Sequence, residues 1–330
     1  MKKTVHILLI FISLFFFRGS LAVEAEVDVS MQQETKTLAY LVSDIRIPFW
    51  EIMSRGIRKQ AEELGYKIEI YSAQNLAKQE LQNTIKAIQS RVSGIIVSPT
   101  NSSACSTILE FAQKAGIPVV IADIGTESGD YVSYISSDNY QGAYEIGKVL
   151  TEKMQALGWE KGSVGIIAIP QSRENGKART AGFIKALDEA GIKGAGIRQQ
   201  KDFSYGETYH YSLELIRNTP QLRAIWLQGS DRYQGAVDAI HQAGKEGEIL
   251  LLTFDAEPVF LDLIPKNILV GAAMQQPFLM GEKSVQALDD HLTGKAVKHE
   301  IKLSVLSVSA ENIDSLLPII RRNVLGVSSR

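Results

Sequence analysis

The chain has 330 residues, 45% of them hydrophobic and 22% charged, with a formal net charge of −2. That balance lacks the basic excess that marks a nucleic-acid partner. The single cysteine, Cys105, excludes internal disulfides, so stability must come from core burial, for which the length allows two domains.

Residues 1–22 read as a targeting segment. Lys2 and Lys3 precede an apolar run at 5–17, the length of a signal-peptide core and short for spanning a bilayer. Small residues place cleavage after Ala22 or after Ala25, and an uncleaved anchor is the bland alternative. Removing Lys2, Lys3 and Arg18 takes the net charge from −2 to −5. Residues 23–36 are polar and acidic and read as a flexible leader.

Residues 38–42 form an apolar run suited to a strand buried on both faces. After the polar break at 43–47, Pro48 fits a first helical position, where its missing N–H costs nothing. Phe49, Ile52, Met53, Ile57, Ala61 and Leu64 then recur at helical spacing, and Gly65 ends the helix. Further on come a strand at 67–72, a helix at 78–91, a strand at 94–97 and a helix at 103–115 that packs Cys105 as a small apolar residue. A strand at 119–122 ends at Asp123, and another spans 131–136. The second half predicts helices at 141–157, 177–190, 205–217, 233–243 and 277–292, with strands at 164–169, 224–227, 250–254 and 270–274. Gly194-Ala195-Gly196 reads as a turn, 300–308 as one final extended segment, and 318–330 as a tail.

The pattern repeats. The run from Gly56 to Gly65 returns 126 positions later as Gly182 to Gly191, and VVIAD at 119–123 is echoed by LLTFD at 251–255. This predicts an α/β chain of two similar lobes, each a parallel sheet flanked by helices. Each lobe then presents an acidic residue at the carboxyl end of a buried strand, the edge where open α/β sheets bind ligands.

Several stretches together resemble the periplasmic sugar-binding proteins of the ribose-, galactose- and autoinducer-binding group. They are Pro48-Phe49-Trp50, Ser98-Pro99-Thr100, Gly116-Ile117-Pro118-Val119 leading to Asp123, and Ser136-Ser137-Asp138-Asn139. Arg179 with Gly182-Phe183, Thr253-Phe254-Asp255, 275–281 and Asn312-Ile313-Asp314 complete the set, which spans roughly 37–314. The resemblance implies three crossings between lobes, near Ser137–Asp138, Gln275–Gln276 and Leu303–Val305. One lobe is then 37–137 plus 276–303 and the other 138–275 plus 304–317, joined by a three-segment hinge.

The resemblance also implies a small sugar-like ligand and an ABC permease as partners, with delivery to an importer. A membrane sensor, such as a histidine kinase or chemoreceptor, is the alternative partner, and the chain is expected to act as a monomer in the periplasm. Phe49, Trp50 and Phe203 are expected to pack on the ligand's C–H faces. Asp123 and Asp255 are expected to accept hydroxyl hydrogen bonds, with capping of the next helix as the bland reading. Ser43, Ser98, Lys177, Arg179 and Gln275 complete the expected ligand-binding set. Ile47, Ile124 and Gly229 stand where ribose binders carry polar groups, which points to a less polar ligand than ribose. The histidines are scattered and no H-E-x-x-H, G-x-S-x-G or P-loop pattern occurs, so no catalytic residue, metal or cofactor is expected. A sugar-responsive transcription regulator would need a DNA-binding helix pair where the targeting segment stands.

Overall fold

The computed structural model describes residues 36–327. The targeting segment, the leader up to residue 35 and residues 328–330 lie outside them. The first half runs β1 (Thr37–Val42), α1 (Pro48–Glu63), β2 (Lys67–Ser72), α2 (Ala77–Gln89), β3 (Gly94–Ser98), α3 (Ser102–Lys114), β4 (Val119–Ala122) and β5 (Ser133–Ser137). There follow α4 (Asn139–Ala156), β6 (Ser163–Ala168), α5 (Glu174–Glu189), β7 (Lys193–Gln199), α6 (Tyr205–Asn218), β8 (Leu222–Leu227), α7 (Tyr233–Gln242), β9 (Leu250–Phe254) and α8 (Phe260–Leu263). The chain closes with β10 (Gly271–Met274), α9 (Pro277–Leu292), β11 (Glu300–Leu303), β12 (Leu306–Ser309) and α10 (Ile313–Ile319).

The strands form two six-stranded sheets, ordered β2-β1-β3-β4-β5-β11 and β7-β6-β8-β9-β10-β12. The first is parallel throughout, and in the second only β12 runs antiparallel to its neighbour. Each sheet is covered on both faces. In the first lobe α1 and α9 cover one face and α2 and α3 the other. In the second, α4 and α5 cover one face and α6 and α7 the other. Double coverage is why β1, β3 and β6 are apolar without alternation. Each such fully buried Leu, Ile or Val contributes about 1.5–3 kcal/mol.

The repeat has a packing meaning. A Cβ on Gly56 would lie 2.2 Å from the Phe278 carbonyl oxygen, and one on Gly182 would lie 2.1 Å from that of Tyr140. Equivalent glycines therefore mark the closest approach of α1 to α9 and of α5 to α4. In both lobes the partner helix arrives from across the hinge. After β5 the chain enters α4 on the second sheet, and after β10 it enters α9 on the first.

Three readings of the sequence are corrected. Gly194-Ala195-Gly196 lies inside edge strand β7, where Ala195 is an extra residue between the pairs Val164–Gly194 and Gly165–Gly196. Gly196 takes a φ of 127°, so the glycines supply a bulge rather than a turn. Residues 300–308 are two strands in different sheets: Leu303 pairs with Ser137 and Leu306 with Met274, and the chain crosses lobes between them. Residues 318–327 are not a tail. They finish α10 and make a π-helical turn, Ile320–Val324. Ile320, Val324 and Leu325 fall on one face of this segment and are buried in the second-lobe core. Arg322 grips Glu282 of α9 through two hydrogen bonds of 2.6 and 3.0 Å, and Arg55 of α1 donates to the Leu325 and Gly326 carbonyls. The segment thus ties the second-lobe core to first-lobe helices.

Candidate functional site

The carboxyl ends of both sheets face a common cleft. Its cavity, about 60 Å³, is lined from the first lobe by Ile47, Phe49, Trp50 and Asp123. From the second lobe and the hinge come Ile169, Arg173, Asn175, Arg179, Gln200, Phe203, Gln228, Gly229, Asp231, Asp255 and Gln275.

Asp123 follows β4 and Asp255 follows β9, and both take left-handed backbone angles, φ 71° and 69°. Phe203 (φ 50°) is also left-handed, a conformation that is uncommon for any residue with a Cβ and strained for a bulky one. Three strained residues therefore converge on one cavity, each turned out of regular structure towards it.

The carboxylates are embedded in a network. Gln275 Nε2 donates to Asp255 Oδ1 at 2.5 Å, and Arg179 Nη1 lies 3.6 Å from Asp255 Oδ2. Arg179 is held by Asn139 Oδ1 (2.8 Å) and the Gln228 carbonyl (2.7 Å), and its guanidinium stacks 3.8 Å over the Phe254 ring. Asn175 reaches across the cleft to Asp123 Oδ1 at 3.5 Å. Burial pushes the Asp123 carboxyl up to about 6; Arg179 pulls it back, and the negative charge of Asp255 pushes it further up. Burial likewise raises Asp255, against Arg179 and Gln275. Burial raises Asp231 as well.

Three buried polar atoms of this lining have no hydrogen-bond partner among the described residues: the Trp50 indole N–H, a donor, Gln275 Oε1, an acceptor, and Asp231 Oδ2, which lies 2.7 Å from Arg232 Nη1 as an ion pair. An unmet buried polar group is costly, and a donor and an acceptor left open beside carboxylates match a ligand bearing hydroxyls, which both give and take hydrogen bonds.

Seven of the ten expected residues line the cavity: Phe49, Trp50, Asp123, Arg179, Phe203, Asp255 and Gln275. Three lie elsewhere. Lys177 projects to solvent and pairs with Glu174 one turn back, because α5 turns that position away from the cleft. Ser98 is buried against Tyr40, 3.0 Å from its hydroxyl. Ser43 donates to Asn75 Oδ1. Among the apolar departures, Ile47 and Gly229 line the cavity, whereas Ile124 is buried in the first-lobe core. The sequence reading missed Arg173, Asn175, Gln200, Gln228 and Asp231. Arg173 and Asn175 precede the apolar periodicity of α5, and only their place at its N-terminus, facing the cleft, could have flagged them.

A family model described as a periplasmic binding protein domain matches residues 38–296. The ribose import binding protein of Bacillus subtilis (strain 168) is 29% identical over 305 residues, 91% of this chain and 97% of that protein. The ribose import binding protein of Haemophilus influenzae is 28% identical over 273 residues, 83% of this chain and 91% of that one. Among solved structures, a carbohydrate transporter solute-binding protein from Agrobacterium radiobacter, in complex with D-arabinose, superposes with a TM-score of 0.81 at 21% identity, over 88% of this chain and 99% of that one. With two doubly covered sheets joined by three crossings and a cleft at their carboxyl edges, the chain belongs to the periplasmic binding protein domain family.

Proposed function

We propose that this protein is a periplasmic solute-binding protein that closes its two lobes on a small sugar-like ligand and delivers it to an ABC importer. The observation that carries this is the pairing of Asp123 and Asp255, brought from different lobes to one cavity between the aromatic side chains Trp50 and Phe203. Carboxylates accept hydrogen bonds from adjacent hydroxyls while aromatic faces cover the C–H surface, the two requirements of a polyol. The names of the ribose import relatives support a pentose-sized ligand and import rather than sensing. Ile47, Ile169 and Gly229 in the lining favour a ligand with one less polar face than ribose. Export after cleavage at Ala22 or Ala25, a lobe boundary at each of the three crossings, and action as a monomer belong to the same reading.

The test is a thermal-shift panel of pentoses, deoxy sugars, polyols and furanones on the mature protein. A ligand at 100 times its Kd should add about 2.7 kcal/mol of stability. If no sugar or polyol shifts the melt at millimolar concentration, the reading fails.

A further inference from the structure

Arg173 stands at the N-cap position of α5 in the second lobe without a side-chain bond to that helix, and both side-chain hydrogen bonds it makes among the described residues go to the first lobe. Its Nε donates to the Thr100 carbonyl at 3.2 Å and its Nη2 to Asn75 Oδ1 at 3.0 Å. The guanidinium lies 5.7 Å from the Trp50 ring centre and 5.4 Å from that of Phe203, so an aromatic ring from each lobe flanks it. Only 6% of the residue is exposed.

The first lobe carries a built socket for this group. Asn75 sits at a left-handed φ of 61°, and its side-chain oxygen also accepts from Ser43 Oγ at 3.0 Å. Its backbone N–H donates to the Ser43 carbonyl at 2.7 Å. On the other side Glu80, 1% exposed, accepts from the Thr100 N–H through Oε1 (2.8 Å) and from the Thr100 hydroxyl through Oε2 (2.9 Å). This aims the Thr100 carbonyl at the cleft and sets a carboxylate behind it. Every one of these bonds joins protein to protein, and none needs a ligand atom.

We propose that Arg173 is an interlobe latch, with Asn75 and the Glu80–Thr100 pair as its socket, so that closure of the cleft has a component independent of ligand. The proposal rests on the hinged reading above and adds a regulator of the same site. Affinity for a ligand that binds the closed form scales with the fraction of protein already closed, so the latch sets affinity apart from any contact Arg173 makes with the ligand in the cavity it lines. Arg173 is a positioning residue in this role. Charge-assisted bonds of this kind are strong enough to bias a hinge: removing them should lower the closed-to-open ratio about tenfold.

The test uses ligand-free mature protein with spin labels at Lys78→Cys and Lys201→Cys, exposed positions in opposite lobes, with Cys105 buried and out of reach of the label. Double electron–electron resonance then reads the closed fraction. Arg173→Ala and Asn75→Gly, the second keeping the backbone angle while deleting the acceptor, should both move the distance distribution towards the open form. Circular dichroism and melting would verify that each variant folds. If both folded variants keep the wild-type distribution, the latch is overturned. If Arg173→Ala weakens sugar binding but leaves the ligand-free distribution unchanged, Arg173 is a ligand contact only; the latch falls and the sugar reading stands. If the variants open the cleft while no sugar binds the wild type, the latch stands and the sugar reading falls.

Discussion

Asp123 and Asp255 leave equivalent strands of the two lobes at nearly the same left-handed backbone angle, φ 71° and 69°, and both face the cleft. That backbone conformation, which costs about 1–2 kcal/mol for most residues with a Cβ and less for aspartate, turns each carboxylate out of its sheet towards the other lobe.

Asparagine tolerates this backbone region and keeps the side-chain shape, so Asp123→Asn and Asp255→Asn separate binding from folding. Each should weaken ligand binding by about 1.5–3 kcal/mol, measured by titration calorimetry, while the melting temperature of the ligand-free protein holds or rises. Normal binding combined with earlier unfolding would identify the two residues as structural caps.

Acidity should drive affinity and stability in opposite directions. Hydroxyl donors favour the ionised Asp123, whose carboxyl titrates at about 6 in the folded protein. Affinity should therefore be flat above pH 7 and fall below pH 6, approaching about tenfold per pH unit for one coupled proton. The ligand-free fold should respond otherwise. Burial lifts Asp123 from 3.8 to about 6, and Glu80 and Glu257 from 4.5 to about 7. The folded state then holds these protons more tightly than the unfolded chain. Stability should rise as pH falls from about 7.5 towards 5, until carboxylates held low by ion pairs, such as Asp44, begin to protonate. Melting curves at pH 5.5 and 7.5 check the sign, and a lower melting temperature at pH 5.5 would refute it.

The three tryptophans report closure at different depths. Trp50 lines the cavity, Trp226 is buried and stacked 3.9 Å from Phe183, and Trp159 sits on a loop with Arg223 over its ring at 5.1 Å. Ligand should shift the emission of Trp50 and leave Trp159 unchanged. Trp50→Phe should remove most of the ligand-dependent signal yet retain binding, since Phe keeps an aromatic face but loses the indole N–H. Small-angle scattering should show the radius of gyration fall with saturating ligand in both proteins, and an unchanged radius would exclude hinge closure.

Gly56→Ala and Gly182→Ala should reverse the usual helix preference. Alanine in a helix interior is ordinarily about 1 kcal/mol more stable than glycine. Here the added methyl would sit 2.2 or 2.1 Å from a backbone oxygen of the packed helix, which cannot retreat without moving α9 or α4. Urea denaturation should show each variant destabilised by about 1–3 kcal/mol or more. Equal or greater stability would mean that the helix pairs slide freely.

Local pattern determined the elements. Continuous apolar strands, helical spacing after Pro48 and the 126-residue repeat made two α/β lobes legible, because burial on both faces and 3.6-residue periodicity are written directly in residue order. The strand-end aspartates and the cleft aromatics were legible for the same reason: their position follows from where an element ends. What the tertiary structure decided was orientation across the hinge. Lys177 and Arg179 stand two positions apart on α5, and the helical turn sends one to solvent and the other under Asp255. Arg173 is a loop residue in sequence, and only the approach of Thr100 and Asn75 from a segment some 75 to 100 positions earlier makes it a bridge. In sequence the apolar residues of the terminal segment have no visible partner, which is why the pattern alone predicts a tail. Their partners are the second-lobe core and, through Arg322 and Glu282, a helix of the other lobe. Contacts of that kind depend on how two separately folded sheets are set against each other, which residue order encodes only through the assembled fold.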